Sequence, residues 1–279
     1  MTGGGEAPDI GWLDATILGL IEGLTEFLPV SSTGHLIVGQ RLLGLDTGAA
    51  TDAFAIGIQM GAITAILVLY WRRLMAAFRT ALRPEPRKPN LLWQIGIAAI
   101  PAIVLGLLCK DWIFENLFSA TVVAYTLIIG GVLLLLLERF LRNSTESVRD
   151  VSEISYRSAV CIGLWQCLAL IPGTSRSGAT IGGALVLGVS RATAAEFSFL
   201  LGLPILYGAA IYKLLAEYKS LTSEMVSPFL IGTIVSFIAA LAVVRPFLAF
   251  LRRHTFAPFA WYRIIIGSVL LVMIAAGYL

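Results

Sequence analysis

The stretch EGLTEFLPVSSTGHL, residues 22–36, places two carboxylates, a Ser-Ser-Thr triplet and a histidine inside an otherwise apolar sequence. Of the 279 residues, 58% are hydrophobic and 13% are charged. Ionisable side chains are costly at membrane depth, where they usually mark functional sites. A second polar stretch, PGTSRSGAT, lies at residues 172–180. We expect these two stretches to form the two halves of one site.

The composition places the chain among helical membrane proteins. Its apolar runs are long enough to cross a bilayer as helices, and they lack the alternating pattern of an outer-membrane barrel. The net charge of +3 comes from basic segments between the runs, which we interpret as topology signals rather than as a nucleic-acid surface. Residues 1–9 are rich in glycine and lack the basic segment of a secretory signal, so we expect disorder and no cleavable signal peptide there.

The first half of the chain predicts a broken helical hairpin followed by three spans. An apolar helix ends at Pro29, and the hydroxyl residues after it can cap a short helix at about 34–44. We interpret residues 10–44 as a re-entrant hairpin, because broken backbone is tolerated at membrane depth where it lines a cavity. Full spans are expected at about 53–71, 93–110 and 121–138.

The second half repeats this plan. Residues 157–188 contain an apolar helix, a break at Pro172-Gly173 and a short return helix, so we expect a second re-entrant hairpin. Full spans are expected at about 196–214, 228–244 and 261–278.

The distribution of arginine predicts which loops face the cytoplasm. Arginines are frequent at 72–88 and 139–157, which we therefore assign to the inside. The segment 111–120 has two acids and no arginine or lysine, so it is predicted to be an outer loop. To the inner loop between the last two spans we assign Arg245, Arg252, Arg253 and Arg263.

An internal repeat relates the two halves. Glu22 aligns with Gln166 at an offset of 144, and YTLIIGGVLL from Tyr125 aligns with YRIIIGSVLL from Tyr262 at an offset of 137. Each half has three full spans, an odd number, so the second copy is expected to be inverted. The sequence thus predicts one all-α membrane domain with six transmembrane helices, two re-entrant hairpins and a site where the hairpins meet. The repeats cover about 10–141 and 154–279.

Two glutamates in the first stretch form a candidate cation site. Glu22 and Glu26 are four residues apart and share one face of the first helix. Carboxylates so close together in apolar surroundings repel each other, which suits a divalent cation or one carboxyl group that stays protonated. The alternative is a helix face turned to water at the membrane surface.

The hydroxyl residues after Pro29 form a candidate anion site. Ser31, Ser32 and Thr33 open a helix, where free N–H groups and the helix dipole favour a bound anion. Ordinary helix capping is the alternative, although one serine would satisfy it. His35 can act as an acid, a base or a nucleophile near neutral pH, or it can be structural.

The second stretch adds a cation among hydroxyls. Arg176 stands at the start of a predicted helix, and a guanidinium binds phosphate in a bidentate fork. An arginine that extends to lipid headgroups is the alternative. The candidate phosphate-binding residues are Ser31, Thr33, Thr174, Ser175, Arg176, Ser177 and Thr180.

Together, these two stretches resemble the undecaprenyl pyrophosphate phosphatase family of bacterial inner-membrane enzymes. The resemblance extends from about residue 12 to the end of the chain and includes EFSFLLGLP at 196–204. It implies hydrolysis of undecaprenyl pyrophosphate to the monophosphate and inorganic phosphate, which recycles the lipid carrier for peptidoglycan synthesis. It also implies activation by Mg²⁺ or Ca²⁺, a site open to the periplasm, homodimers, and bacitracin resistance on overproduction.

Carried onto this chain, the resemblance implies a catalytic set. Our hypothesis is that Arg176 and the second stretch hold the pyrophosphate, while Ser32 attacks the terminal phosphorus and His35 transfers the proton. The two glutamates would position the cation or accept a proton. In the alternative mechanism His35 is the nucleophile, and the sequence leaves this choice open. The catalytic set is Glu22, Glu26, Ser32, His35 and Arg176.

A lipid transporter is the alternative function. Inverted repeats with broken helices are also a transporter architecture, and a lipid carrier with a phosphate headgroup could be moved across the membrane through such a fold.

Overall fold

The computed structural model describes residues 10–45, 48–81, 89–142, 146–216 and 223–278. Within these ranges the regular secondary structure is helical, apart from an isolated β-bridge between Val148 and Val189. The predicted all-α class is therefore confirmed. The prediction of disorder for residues 1–9 falls outside the described ranges.

The described part of the chain forms eleven α-helices. Six of them, α3, α5, α6, α9, α10 and α11 below, are long and apolar enough to cross a membrane, which agrees with the six predicted spans. The helices are α1 (Trp12–Thr25), α2 (Ser32–Leu42), α3 (Ala49–Leu69), α4 (Trp71–Ala81), α5 (Leu91–Leu117), α6 (Ala120–Phe140), α7 (Tyr156–Gln166), α8 (Arg176–Val186), α9 (Arg191–Ala216), α10 (Val226–Leu251) and α11 (Ala257–Ala275).

Two segments that the sequence predicts as loops are largely helical. In the predicted loop 72–88, residues 71–81 form α4, a surface helix that buries Leu74 and exposes Arg72. The prediction of a loop at 111–120 is also wrong, because α5 continues to Leu117. Neither glycine nor proline interrupts this part of α5, so nothing in the local sequence ends the helix earlier.

Two arginines assigned to the last inner loop lie in helices instead. Arg245 belongs to α10 and Arg263 to α11. The sequence assignment failed because an arginine in the last turn of a helix and an arginine in the adjoining loop look the same in the sequence. For Arg263 the difference is large, since only 1% of the residue is exposed.

Two pairs of short helices carry the polar stretches. A turn at residues 26–30 joins α1 to α2, and a 3-10 turn at Cys167–Leu170 followed by Pro172-Gly173 separates α7 from α8. With 14, 11, 11 and 11 residues, these helices are about 16–21 Å long at ~1.5 Å per residue. Each is too short to cross a hydrocarbon layer of ~30 Å alone. We call the two breaks, residues 26–33 and 172–177, the first tip and the second tip.

The helix packing repeats itself when the two halves of the chain are exchanged. Helix α1 packs on α10 as α7 packs on α5, and α3 packs on α10 as α9 packs on α5. A Cβ at Gly19 of α1 would overlap the carbonyl oxygen of Gly232 in α10, and one at Gly163 of α7 would overlap that of Ala98 in α5. Small residues thus allow α1 and α7 each to approach a span of the other half at backbone distance.

The main apolar core fixes the first tip against α9. Phe27 is fully buried, and its ring meets that of Phe199 edge to face with centroids 5.1 Å apart. The outer faces of the long helices carry exposed apolar side chains such as Leu108, as expected for helices in contact with lipid.

Candidate active site

The two tips have the same unusual backbone geometry. Ser31 and Ser175 have φ angles of 70° and 74°, and among the described residues they are the only non-glycines with positive φ. Each serine hydroxyl accepts a hydrogen bond from the N–H of a glycine three residues later, Gly34 or Gly178. L-residues seldom adopt this region, so the surrounding structure must maintain the strain, as is common at functional sites.

A cavity of about 190 Å³ lies between the two tips. Gln59 of α3, Gln166 of α7 and apolar residues of α5 and α9 complete its wall. The structure therefore brings the two polar stretches into one cavity, as the sequence predicts. The candidate residues that line it are Glu26, Ser31, Ser32, Thr33, Ser175 and Arg176.

Glu26 connects the two tips. Its Oε2 accepts a 2.5 Å hydrogen bond from the Ser32 hydroxyl, and its Oε1 accepts bonds from Nη2 and Nε of Arg176 at 3.1 and 3.4 Å. Arg176 also donates through Nη1 to the carbonyl oxygen of Ser198 at 2.7 Å. The Glu26 and Arg176 side chains are only 5% and 9% exposed, so this is a buried ion pair. A carboxylate so placed can take the serine proton, and the guanidinium beside it can bind a phosphoryl oxygen.

Glu22 lies one helical turn before Glu26 and does not line the cavity. It is fully buried, and both of its carboxyl oxygens lack a hydrogen-bond partner among the described residues. Gln166, which the predicted repeat aligns with Glu22, is also buried, and neither of its amide atoms has a hydrogen-bond partner among the described residues. Buried polar atoms are rarely left unsatisfied, so Glu22 needs a proton, a cation or water as a partner.

The carboxylates can contribute to a cation site without completing one. In the described part of the chain, no group of three or more His, Cys, Asp and Glu side chains could hold a metal ion. Mg²⁺ is often bound by one or two carboxylates together with water and substrate phosphates. Glu22, whose carboxyl oxygens lack a hydrogen-bond partner among the described residues, and Glu26, one helical turn later in the chain, are the carboxylates that could contribute to such a site.

Three candidate phosphate-binding residues lie outside the cavity wall. The Ser177 hydroxyl bonds the Leu28 carbonyl oxygen at 2.8 Å, and the Thr180 hydroxyl donates to the Ser198 hydroxyl at 2.6 Å. The Thr174 carbonyl oxygen accepts a bond from a buried arginine. These residues hold the second tip against neighbouring segments, and their role in phosphate binding stays a prediction.

His35 also lies outside the cavity wall and makes no hydrogen bond to Ser32. Its Nδ1 is 2.8 Å from the Ser31 carbonyl oxygen, and its Nε2 is 2.7 Å from the Tyr262 hydroxyl. Because a carbonyl oxygen only accepts, Nδ1 carries the proton, and Nε2 of the neutral ring accepts from Tyr262. The two rings stack with centroids 5.5 Å apart. The arrangement makes Glu26, rather than His35, the direct hydrogen-bond partner of the Ser32 hydroxyl.

Arg263 of α11 is the main site residue that the sequence did not reveal. Its guanidinium donates to carbonyl oxygens of both tips, Pro29 in the first and Gly173 and Thr174 in the second, at 2.9–3.2 Å. It also donates to Thr126 and Leu127 of α6. The guanidinium thereby fastens both tips to one span. Every acceptor of Arg263 is a backbone carbonyl oxygen, so the sequence contains no carboxylate that would have indicated this role.

The fold and the site define a polytopic helical membrane protein with a buried serine–carboxylate–arginine cluster. A family model described as "Bacitracin resistance protein BacA" matches residues 15–269, and the chain belongs to this family.

Relatives agree with this membership over nearly the whole chain. A protein from Sphingopyxis alaskensis named undecaprenyl-diphosphatase is 46% identical over 259 residues, which cover 93% of this chain and 96% of the relative. Proteins of the same name from Parvibaculum lavamentivorans and Bdellovibrio bacteriovorus are 45% and 38% identical, with coverage of 95% and 96% of this chain and 97% of each relative. The resemblance found in the two polar stretches is confirmed.

Proposed function

We propose that this protein hydrolyses undecaprenyl diphosphate to undecaprenyl phosphate and inorganic phosphate, and thereby recycles the lipid carrier for cell-wall synthesis. Family membership and the names of the relatives support this function, and the family description links it to bacitracin resistance. The observation that carries the chemistry is a pair of hydrogen bonds to the Glu26 carboxylate at the cavity between the tips. The Ser32 hydroxyl donates to one carboxylate oxygen, and Arg176 donates to the other.

In the proposed reaction the Ser32 hydroxyl is the nucleophile and Glu26 the base. Arg176 holds the terminal phosphoryl group while Oγ of Ser32 attacks the phosphorus. Glu26 accepts the hydroxyl proton and passes it to undecaprenyl phosphate, which leaves as the bond to the bridging oxygen breaks. Water then attacks the phosphoserine, and Glu26 moves a proton from that water to Oγ as inorganic phosphate leaves.

His35 acts indirectly in this proposal. Its ring nitrogens are engaged by the Ser31 carbonyl and the Tyr262 hydroxyl, so it stabilises the strained turn that carries Ser32. The alternative in which His35 is the nucleophile requires its Nε2 to leave Tyr262 and reach the cavity.

A divalent cation, Mg²⁺ or Ca²⁺, is part of the proposal. Glu22 and Glu26 would hold it, and when bound it would neutralise charge on the pyrophosphate. The unpartnered oxygens of Glu22 support this assignment.

We also propose that the short helix pairs are re-entrant and that the two halves form an inverted repeat. The exchange symmetry of the packing and the matched strain at Ser31 and Ser175, 144 residues apart, support this arrangement. The lengths of the four short helices are compatible with it.

We propose that the protein lies in the inner membrane and that its active site opens to the periplasm. Ion pairs of Arg73 with Asp150 and Glu196 join the arginine-rich segments at one end of the bundle, which positive-inside topology assigns to the cytoplasm. The cavity between the tips shares Thr33 and Gln59 with a 700 Å³ cavity that reaches the other end of α5 and α9. This continuity supports access from the periplasmic side.

Phosphate release from undecaprenyl diphosphate by the purified protein in detergent tests the function. We expect the wild type to release phosphate. EDTA should abolish this release, and excess Mg²⁺ should then restore it. Arg176→Ala should release much less phosphate than the wild type. Protein that binds the lipid but releases no phosphate would contradict hydrolysis and favour the transporter. Native mass spectrometry of the same sample tests the homodimer, which the family resemblance predicts.

A further inference from the structure

One end of the helix bundle carries a groove of basic side chains. The groove has a volume of about 890 Å³ and lies where α6 and α10 end and α9 begins. It shares no lining residue with the cavity between the tips. Along α6, Thr126 contacts the second tip, whereas Glu138 borders the groove twelve residues later, about 18 Å away. The groove is therefore separate from the candidate active site.

Each of the three glutamates that line the groove pairs with an arginine, and two of them share the same guanidinium. Both carboxylate oxygens of Glu138 accept bonds from Arg191, at 3.1 and 2.5 Å, and the N–H of Phe256 donates to the same carboxylate. Arg191 also pairs with Glu146 at 3.0 Å. Glu196 is paired with an arginine of α4 at 2.5 Å. The lining holds six arginines and three glutamates, so the acids offset only half of its positive charge.

The remaining arginines give the groove a net positive charge. They are exposed, and among the described residues none of them has an ion-pair partner. Positive charge that lines a concave site focuses the electric field and attracts anions. These arginines are Arg139, Arg142, Arg149, Arg252 and Arg253.

An exposed apolar surface leads to the groove along α6. Leu133, Leu136 and Phe140 are 58%, 43% and 77% exposed on the last turns of this span, and Arg139 borders the groove directly beside Phe140. Acyl chains can lie on this surface while a phosphodiester reaches the arginines, whose guanidinium groups bind phosphate oxygens in bidentate fashion. We propose that the groove binds the headgroup of an anionic phospholipid.

Inorganic phosphate offers the same oxygens to the arginines, so the test must separate the two sources. Free phosphate gains nothing from the apolar surface of α6, which is why the structure favours the lipid. This inference does not depend on the proposed enzymatic function.

The test is lipid retention by the full chain in nanodiscs that contain phosphatidylglycerol and phosphatidylcholine in equal amounts. Native mass spectrometry after release is expected to show phosphatidylglycerol retained in preference to phosphatidylcholine. Arg252→Gln/Arg253→Gln should reduce that retention about tenfold, since each interfacial arginine contributes to anionic-lipid binding. The matched control is Arg72→Gln/Arg79→Gln, which removes the same charge from exposed arginines of α4 outside the groove.

A second groove variant and a phosphate arm complete the experiment. Arg142→Gln/Arg149→Gln should reproduce the loss from a different wall of the groove, which guards against misfolding of a single variant. In nanodiscs of phosphatidylcholine alone, added inorganic phosphate should shift the unfolding midpoints of the wild type and of the groove variants by the same amount, because the active site is intact in all of them. Equal phosphatidylglycerol retention by groove and control variants would overturn the site. Stabilisation by inorganic phosphate that disappears in the groove variants would overturn the lipid as its occupant.

Discussion

Replacing Arg263 by methionine should impair catalysis by releasing the two tips from each other. Methionine keeps much of the apolar stem but removes all five hydrogen bonds, including those to Pro29, Gly173 and Thr174 in the tips. A buried acceptor that loses its partner costs about 1–3 kcal/mol, so three tip carbonyls together imply at least about 3 kcal/mol of lost stability.

The effect on turnover should exceed the effect on substrate affinity. Ser32 and Arg176 lie on different tips, and a shift of ~1 Å between reacting groups can cost about 100-fold in rate. We therefore expect kcat of phosphate release to fall about 100-fold in Arg263→Met, with a smaller change in KM. Arg263→Lys keeps the charge but offers only three donors, so its kcat should be intermediate.

The assay is phosphate release in detergent, measured well below the unfolding midpoint of each variant. Arg245→Met is the matched control, because Arg245 is an exposed span arginine of α10 and should be replaceable at little cost. Wild-type kcat in Arg263→Met under these conditions would refute the positioning role, even if the unfolding midpoint were lower.

Three further predictions follow from single contacts. Gly130→Ala should lower kcat as Arg263→Lys does, because a Cβ at Gly130 would overlap the Arg263 guanidinium. Gly96→Ala is the control, because a Cβ at Gly96 would meet open space, and its kcat should stay unchanged. Equal kcat values for the two alanine variants would contradict this prediction. Glu26→Gln should reduce phosphate release by about 10²–10⁴-fold while the protein still binds substrate, as measured by lipid binding beside turnover. Burial alone would raise the pKa of Asp150, but hydrogen bonds from Ser152 and Arg73 lower it from 3.8 to about 2. Its stabilising contribution is therefore complete above pH 3.8 and lost as the pH falls towards 2, so the unfolding midpoints of wild type and Asp150→Asn should converge over that range.

The sequence predicted that the two polar stretches would come together, because both interrupt apolar runs. Ionisable residues such as Glu26 and Arg176 are rare in apolar segments, so they marked the two stretches as candidates for a site, and the repeat offset predicted that the two tips would meet. The number of helices long enough to cross a membrane followed from the length of the apolar runs. These signals are local or periodic, and a single sequence contains them fully.

The contacts that position the site could not be predicted in the same way. Arg263 was assigned to a loop because arginines near span ends usually indicate topology, and its acceptors come from three distant segments. The partner of His35, Tyr262, is 227 residues away and appeared in the sequence only as part of the repeat. Hydrogen bonds between such distant groups depend on tertiary packing, for which one sequence provides no signal.

Identification of the phosphorylated residue would test the proposed chemistry most directly. The wild type would be mixed with undecaprenyl diphosphate, and the reaction would be quenched within one turnover. One sample would be quenched in acid, and a parallel sample at neutral pH to preserve phosphohistidine. Peptide mass spectrometry would then locate the phosphorylated residue. We expect phosphate on Ser32, with neither phosphoenzyme nor turnover in Ser32→Ala. Phosphate on His35, or sustained turnover by Ser32→Ala, would contradict a Ser32 nucleophile activated by Glu26.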